Sequence, residues 1–429
     1  MSRTSRLPGF YRKSLVERAA IVGDWAGLSQ EEQAIFFGLT GLNTQDADHM
    51  IENAVGIYAL PLGVAVNFLI NDRDYLIPMV VEEPSVVAAV SNAAKIIREG
   101  GGFYAGSDDP IMIGQIQIMD VDNVWAAAAR VMAHREELLR VANDPTLTIV
   151  KRGGGARDIE TRPFEDTAVG SMLVVHVLVD VRDAMGANVI NTICERLAPR
   201  LETITNGRVN LRILSNYSDQ RMAHARCMIP PHALATDSYH GEEVIKLMIE
   251  AAVFAEIDPY RATTHNKGVM NGIDAVAIAT GNDWRAIEAG AHAYVCRGGR
   301  YTSMTQWWQD EEGNLRGSIQ LPMAVGIVGG ATKSHPTARV AMKILAVQTA
   351  RELAEVMVSV GLAQNFAAIR ALATEGIQQG HMTLHARQLA MAAGATGDLI
   401  NQIVDIMLRE KNIRLERAKE LVKEFSGKQ

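Results

Sequence analysis

Cysteine is scarce in this chain of 429 residues, and its three copies, Cys194, Cys227 and Cys296, form no C-x-x-C pair. This spacing argues against a disulfide framework and a structural zinc site, and it favours a reducing compartment. Basic residues are not in excess, since the net charge is −7. The chain is therefore not expected to bind nucleic acid.

A secretory signal and a membrane span are also missing from the sequence. The segment Met1–Pro8 has no apolar core, so no signal peptide is expected. The best apolar stretch, Ile344–Ala363, carries Arg351, Glu352 and Glu355, which predicts an amphipathic helix. We expect a soluble cytoplasmic protein, with two or three domains because of its length.

Strands and helices alternate in the middle of the chain, where three strand patterns enclose two helical ones. The strands are predicted at Pro110–Asp120, Ser171–Asp180 and Val209–Asn216, and the helices at Val124–Val141 and Asn188–Leu201. This alternation predicts a small α/β unit inserted into a larger domain.

The flanking segments belong to that larger domain. A strand is predicted at Asp74–Val81, and a glycine-rich strand at Pro322–Lys333 precedes a long helix from Pro336. After Gly380 the chain is predicted to be mostly helical and to end in one amphipathic helix, Asp405–Phe425.

Lys267 stands in a segment, residues 258–283, that has few other charges. Its neighbours Asn266 and Gly268 are typical of loops and of close backbone approach. A lysine facing a cleft holds a compact positive charge for an oxygen that becomes negative, and Arg261 can hold a carboxylate beside it. An exposed loop lysine explains the same residues, so both interpretations stay open.

Glu83 and Asp283 are the candidate acid–base groups. Glu83 follows the predicted strand and precedes a helix that begins near Ser85. If the two carboxylates lie near Lys267, they can share proton transfer, with the pKa of one raised. Alternatively, Glu83 is an acid favoured by the dipole at a helix N-terminus.

The segment Asp180–Asn188 follows an apolar strand and opens a helix. Its small residues would let a phosphate approach the helix N-terminus. No G-x-G-x-x-G pattern is present here, so a standard Rossmann domain is not supported. A simple turn capped by Asp183 fits the local sequence as well.

Two histidines, His381 and His385, would share one face of a helix. Zinc is not favoured, because the glutamate of an H-E-x-x-H pattern is missing. His381 behind a hinge at Gly380 suits a general acid that enters late on a mobile tail. The alternative is a structural histidine.

Together these segments resemble class II 3-hydroxy-3-methylglutaryl-coenzyme A (HMG-CoA) reductase. The similarity spans nearly the whole chain, at Met50–Gly56, Glu82–Ser85, Asp183–Asn188, Asp258–Gly272, Thr280–Asp283, Val328–Gly330 and Gly380–Met382. It implies an α/β (α+β) fold with a large α/β domain, an inserted ferredoxin-like small dinucleotide-binding domain and a helical C-terminal flap. The implied bounds are 1–109 and 220–376 for the large domain, 110–219 for the small domain and 377–429 for the flap.

The resemblance implies a reversible four-electron reduction of HMG-CoA to mevalonate and coenzyme A with two NAD(P)H and no metal. By that resemblance Lys267 stabilises the oxyanion, Glu83 handles the proton at the aldehyde level, and Asp283 tunes both. His381 would protonate the leaving thiolate. The positions that match substrate contacts are Ser85, Arg261 and Asn271. A basic residue for the coenzyme A phosphates is expected near position 11, where this chain has Tyr11, and the adjacent Arg12 or Lys13 would substitute for it.

The matching dinucleotide positions are Asp183, Met185, Gly186, Asn188 and Thr146. NADH-dependent members of the family carry an acid near position 146, where this chain has Thr146. Lys151 or Arg152 can reach a 2′-phosphate, whereas Asp144 can replace the acid after a loop shift. NADH and NADPH are both allowed.

The resemblance also implies a homodimer whose active site lies at the subunit interface, and trimers of such dimers. The segment Glu52–Gly56 would belong to the dimer contact, although Ala54 replaces a branched aliphatic residue there.

Two other classes fit part of the pattern. A Schiff-base aldolase would also use Lys267, and borohydride trapping with substrate distinguishes it. A non-catalytic coenzyme A or nucleotide-binding regulator would keep the fold, but it would have no use for an acid such as His381 on a flap.

Overall fold

The computed structural model describes the backbone of residues 3–374 and 377–426, and the side chains of these residues apart from those of 377–384 and 426. The strands are β1 (Leu62–Ile70), β2 (Arg73–Val80), β3 (Phe103–Ser107), β4 (Ile111–Met119), β5 (Gly155–Phe164), β6 (Met172–Asp180), β7 (Arg208–Leu214), β8 (Met222–Ile229), β9 (Thr305–Gln309) and β10 (Leu315–Pro322).

The helices of the first half are α1 (Leu15–Ala26), α2 (Gln30–Ala34), α3 (Thr44–Met50), α4 (Val86–Ile97), α5 (Val124–Ala133), α6 (Arg135–Ala142), α7 (Thr148–Lys151) and α8 (Ala187–Thr205). Those of the second half are α9 (Gly241–Ile257), α10 (Pro259–Ala279), α11 (Trp284–Val295), α12 (Gly330–Ser334), α13 (Pro336–Leu345), α14 (Ala350–Ala373), α15 (Ile377–Ala392), α16 (Asp398–Arg409) and α17 (Leu415–Ser426). Short 3-10 turns lie at Phe10–Arg12, Ile35–Phe37, Arg98–Gly100 and Pro231–Ala233.

The larger sheet has the strand order β2-β1-β3-β8-β10-β9. Only the β1–β3 pair among these neighbours is parallel. Its core combines buried residues of the strands with those of α4, α9, α10 and α14. The sheet thus gives α10, which carries Lys267, a rigid support.

The smaller sheet has the order β5-β6-β4-β7, with every neighbouring pair antiparallel. Helices α5, α6 and α8 supply the rest of its core. The order of these four strands, with the helices packed against them, confirms the ferredoxin-like expectation. Strand β5 was not predicted from the sequence, because its charges and Pro163, which suit its place at the sheet edge, hide the strand pattern.

Several predicted elements differ from the observed ones. The helix predicted at Val124–Val141 is two helices, because His134 leaves helical geometry with φ −99° and ψ 12°. The strand predicted at Pro322–Lys333 is wrong: β10 ends at Pro322, and a loop leads into α12. The final helix, predicted as Asp405–Phe425, is interrupted between α16 and α17, where Lys411 has φ 52°.

Helix α14 is not the amphipathic helix predicted at Ile344–Ala363. It begins at Ala350 and is buried on nearly all sides. Within the described ranges, α14 is the one helix long and apolar enough to cross a membrane by composition, but most of it lies inside the structure. Its charged N-terminal residues are satisfied locally, since Glu352 accepts from Arg73 and from Tyr75 at 2.7 Å.

Lys267 lies in the middle of α10 although its neighbours are residue types typical of loops. Packing explains the difference, because α10 crosses α14 closely at Gly272. A Cβ there would lie 3.0 Å from Val360 Cγ1 and 3.2 Å from the Val360 carbonyl oxygen. Gly272 thus serves a close helix crossing, while Asn266 bonds to Thr302 and Met304, so the small and polar residues of this segment do not mark a loop.

Candidate active site

Lys267 and Glu83 form a direct ion pair. Lys267 Nζ donates to Glu83 Oε2 over 2.9 Å. The pair is open to solvent, with 62% of the Lys267 side chain and 38% of the Glu83 side chain exposed. An ion pair so exposed contributes little to folding stability. Its position at an accessible surface suits it to contact a substrate.

The loop that carries Glu83 joins β2 to α4. Ser85 is the N-cap of α4, yet it has φ 78° and its side chain does not cap the helix. A left-handed conformation costs a residue other than glycine about 1–2 kcal/mol. The fold maintains this strained conformation beside Glu83. Strained backbone conformations of this kind are often found near functional sites.

Asp283 is the N-cap of α11 and follows the short turn that contains Thr280 and Asn282. Its Oδ1 accepts from the backbone N–H groups of Arg285 at 3.1 Å and Ala286 at 3.2 Å. The same oxygen accepts from Arg285 Nε at 3.2 Å. Among the described side chains, no hydrogen bond joins Asp283 to Lys267 or Glu83.

A buried polar network behind Lys267 was missed by the sequence analysis. His265 Nε2 lies 2.8 Å from Thr305 Oγ1 and 3.0 Å from Asn365 Nδ2. Burial, together with the charge of Arg261, lowers the pKa of His265 to about 4. His265 is therefore neutral at physiological pH, and the network fixes the rotation of α10 about its axis. The signal that could have indicated this network is the presence of polar residues such as His265 and Asn266 in a helix that is otherwise buried.

A second unpredicted cluster joins α10 to α11. Burial, followed by the neighbouring Glu288, raises the pKa of Asp274 to about 8. Glu288 Oε2 lies 2.6 Å from His292 Nε2, and His292 Nδ1 lies 2.8 Å from the Tyr301 hydroxyl. Asp274 thus holds a proton at neutral pH and links the helix of Lys267 to the helix that Asp283 caps.

The candidate substrate residues on α10 occupy two faces. Asn271 lies one turn after Lys267 on the same face and is half-buried. Arg261 precedes Lys267 by about 9 Å along the helix axis, and its side chain is rotated about 120° around that axis from the Lys267 side chain. Burial lowers the pKa of the Arg261 guanidinium. No carboxylate within the described structure pairs with Arg261, so its charge is free for an anion.

A largely apolar cavity of about 650 Å³ lies near the far end of α10. Its walls include Phe10, Val22, Ile57 and Ile278. Since Ile278 is eleven residues beyond Lys267, the cavity begins about 16 Å along the helix from the lysine. Arg12 is exposed on the 3-10 turn that begins at Phe10 and donates to Tyr11 Oη at 3.0 Å. A positive charge thus lies two residues along the chain from Phe10, which is part of the cavity wall.

The turn before α8 contains the candidate dinucleotide residues. Gly186 is the N-cap with φ 106°, and no side chain caps the helix. Asp183 does not cap α8; its Oδ1 accepts from the Ala350 N–H at 2.9 Å, at the start of α14. Met185 is half-buried and Asn188 is exposed. The open, uncapped N-terminus fits a diphosphate group.

Thr146 lies beside Asp144. Its N–H and hydroxyl donate to Asp144 Oδ1 at 2.7 and 2.5 Å, and Arg196 pairs with Oδ2. These hydrogen bonds from Thr146, with the Arg196 pair, lower the pKa of Asp144 to about 2. The acid is ionised, and a neighbouring guanidinium balances its charge.

His381 lies in α15, but its side chain is outside the described residues. Gly380 lies inside α15 and not at a hinge before it. His385 is exposed.

Comparisons with known proteins identify the family to which this chain is similar. A family model described as hydroxymethylglutaryl-coenzyme A reductase matches residues 14–386. The 3-hydroxy-3-methylglutaryl-coenzyme A reductase of Archaeoglobus fulgidus is 53% identical over 98% of this chain and 94% of its own length. A probable 3-hydroxy-3-methylglutaryl-coenzyme A reductase of Borreliella burgdorferi is 33% identical over 89% of this chain and 85% of its own.

A solved structure supports the same class. The class II 3-hydroxy-3-methylglutaryl-CoA reductase of Streptococcus pneumoniae, bound to NADPH in open conformations, superposes with a TM-score of 0.81 at 43% identity. The match covers 96% of this chain and all of that one. The two-sheet α/β fold is that of a class II reductase. The chain belongs to the hydroxymethylglutaryl-coenzyme A reductase family.

Proposed function

We propose that the chain catalyses the reversible four-electron reduction of (S)-HMG-CoA to (R)-mevalonate and coenzyme A. Two NAD(P)H supply the hydrides, and the intermediates are mevaldyl-CoA and mevaldehyde. The observation that carries the proposal is the contact between Lys267 Nζ and Glu83 Oε2 at 2.9 Å on an accessible surface. It places a fixed cation beside a carboxyl group where a carbonyl can approach.

Lys267 acts on the oxygen in both reduction steps. When hydride adds to the thioester carbonyl, the oxygen becomes negative, and the ammonium stabilises that charge. In the second step the aldehyde oxygen becomes an alkoxide and takes a proton. Glu83 is the group in direct contact with Lys267 and serves that transfer.

Asp283 and His381 complete the proposed catalytic set. Asp283 adds a negative charge at the start of α11 and tunes Lys267 and Glu83 when substrate closes the site. Between the two hydride steps, the carbon–sulfur bond of mevaldyl-CoA breaks while its hydroxyl group releases a proton and forms the aldehyde carbonyl. His381 gives a proton to the departing sulfur, so that coenzyme A leaves as a thiol, which is a better leaving group than a bare thiolate.

The substrate extends along α10 in this proposal. Ser85, Arg261 and Asn271 hold the hydroxymethylglutaryl group, with the Arg261 guanidinium contacting its carboxylate. The pantetheine arm runs toward the apolar cavity, which begins about 16 Å from Lys267. Arg12 then meets the phosphates of coenzyme A.

The dinucleotide binds in this proposal at the turn containing Asp183, Met185, Gly186 and Asn188. The relative from Streptococcus pneumoniae was solved with NADPH, which supports a nicotinamide cofactor here. Thr146 lies toward the adenine ribose. No metal is required by the chemistry of these side chains.

The proposed division assigns residues 1–109 and 220–376 to HMG-CoA binding and dimerisation, 110–219 to the dinucleotide, and 377–429 to a flap. We propose a homodimer with its active site at the subunit interface, and assembly of three such dimers into a hexamer. The exposed apolar residues Met50, Ile51, Val55 and Tyr58 support a subunit contact. We place the enzyme in the cytoplasm, without a membrane or nucleic-acid partner.

The experiment follows absorbance of NADH and of NADPH separately with HMG-CoA, and then the reverse reaction with mevalonate, coenzyme A and oxidised cofactor. We expect turnover with at least one cofactor in both directions. Absence of turnover in every combination would refute the proposal.

A further inference from the structure

Arg221 is a buried cation with no role in the chemistry proposed above. It precedes β8, is 4% exposed, and within the described structure has no carboxylate at salt-bridge distance. Its Nη1 donates to the carbonyl oxygens of Ala184 at 3.1 Å and Met185 at 3.4 Å, and its Nη2 donates to that of Val325. Burial lowers the pKa of Arg221 to about 10, with Asp183 opposing the effect. The guanidinium therefore stays charged at neutral pH.

These hydrogen bonds orient the turn before α8. In a trans peptide the C=O and N–H groups of one unit point in opposite directions. Because the Met185 carbonyl is directed at Arg221, the Gly186 N–H in the same unit is directed away from it. Arg221 thus turns this amide away from its own guanidinium, at the uncapped N-terminus of α8.

The same guanidinium joins this turn to the loop after β10. The Ile327 N–H donates to the Asp183 carbonyl at 2.9 Å. A Cβ on Gly326 would lie 2.7 Å from Met185 N, so the two segments are in close contact. The Gly326 N–H also donates to Asn282 Oδ1 at 2.8 Å, beside Asp283.

We propose that Arg221 is a positioning residue for the dinucleotide, fixing the turn at Ala184–Gly186 and placing a buried positive charge beneath the diphosphate. This inference rests on the proposed function. A clamp for backbone carbonyls needs only donors, and a neutral amide would supply them. Burying a charge without a carboxylate is costly, and a bound diphosphate would offset that cost.

The test compares Arg221→Gln, which keeps donors but loses the charge, with Arg221→Lys, which keeps the charge but loses the planar fork. Arg226→Gln, an exposed arginine on β8, is the control. Dissociation constants for NADH and NADPH are measured by fluorescence titration, and that for HMG-CoA by calorimetry. HMG-CoA also carries a diphosphate, so it reports on nonspecific electrostatic loss.

We expect Arg221→Gln to weaken dinucleotide binding about tenfold or more, with the HMG-CoA constant and Arg226→Gln unchanged. Unchanged dinucleotide affinity, or an equal loss for both ligands, would overturn the inference. If the Arg221 variants do not fold, Gly326→Ala provides the test, since its Cβ pushes the loop off the turn. The same selective loss supports the inference, and unaltered dinucleotide affinity overturns it. A parent protein that binds neither dinucleotide nor HMG-CoA would instead refute the proposed function.

Discussion

Asp283 and Arg285 are joined through one carboxylate oxygen, Asp283 Oδ1, which accepts from both the backbone N–H and the Nε of Arg285. This oxygen is thus committed to the first turn of α11. The observed helix cap and the proposed catalytic charge therefore belong to the same residue, and substitutions can separate the two roles.

Asp283→Asn should keep the cap, because asparagine caps helices as well as aspartate does, but lose the charge. We expect the free energy of unfolding to change little while kcat falls. Asp283→Ala should lose the activity and also about 1 kcal/mol of stability. Urea unfolding and steady-state rates check both. Full activity in Asp283→Asn would leave Asp283 as a structural residue.

Lys267→Ala should abolish both hydride steps, because each creates a negative oxygen. We expect kcat to fall about 10²–10³-fold or more, the usual effect of removing one oxyanion donor. Absorbance assays with HMG-CoA and with mevaldehyde measure the two steps. The control is Lys343→Ala, which removes another exposed lysine paired with a glutamate, Glu32. A variant that still reduces mevaldehyde at the parent rate contradicts the role of Lys267.

His381→Ala should lose reduction of HMG-CoA but keep much of the reduction of mevaldehyde, since no thiolate leaves in that step. His385→Ala, one turn later in α15, is the matched control and should retain both. Equal loss of both half-reactions in His381→Ala would refute its assignment as the thiolate acid.

Asp144 and Arg196 should shift the choice of cofactor in opposite directions. Asp144→Ala removes the carboxylate and frees the guanidinium, which favours the 2′-phosphate of NADPH. Arg196→Ala leaves the carboxylate uncompensated, which favours NADH through repulsion of that phosphate. The measurement is the ratio of kcat/KM for the two cofactors. Shifts of the same sign would show that this ion pair does not face the adenine ribose.

Asp274 should make the fold less stable as pH rises. Its folded-state pKa is raised from 3.8 to about 8, so between these values the folded chain binds more protons than the unfolded chain. The free energy of unfolding therefore declines from about pH 4 to pH 8. Asp274→Asn should flatten this decline, whereas Asp166→Asn on an exposed loop should not. Urea titrations at several pH values decide, and identical slopes in all three proteins would contradict the assignment.

The sequence predicted the elements that have a strong periodic pattern. The inserted α/β unit was recognisable because β4, β6 and α8 are apolar at regular spacing, whereas its ferredoxin-like topology was expected only from the family resemblance. Strand β5 was missed because an edge strand tolerates charges and proline. Helix α10 was misjudged because Asn266, Gly268 and Asn271 suggest loops, while the close crossing with α14 depends on residues about a hundred positions away.

The site was predictable only as a set of residue types. Lys267 and Glu83 were both singled out, and the structure brings them into contact. The network of His265 and the cluster of Asp274 with Glu288 were not found, since these contacts arise from packing between separate helices. The hydrogen bond from the Ala350 N–H to Asp183 Oδ1 could likewise not be predicted from the local sequence.

Strands β3 and β8 are antiparallel neighbours, with Ser107 opposite Ala223 at the end of their register. The chain that builds the whole smaller sheet leaves and returns at this one place. A short turn joining Ser107 to Met222 would turn β3 and β8 into a hairpin and leave the order of the larger sheet intact. The enzyme therefore consists of a larger sheet that is complete in itself and a smaller domain inserted between two strands that would otherwise form a hairpin. In a chain of this layout, evolution can replace the inserted domain without changing the strand order of the larger sheet.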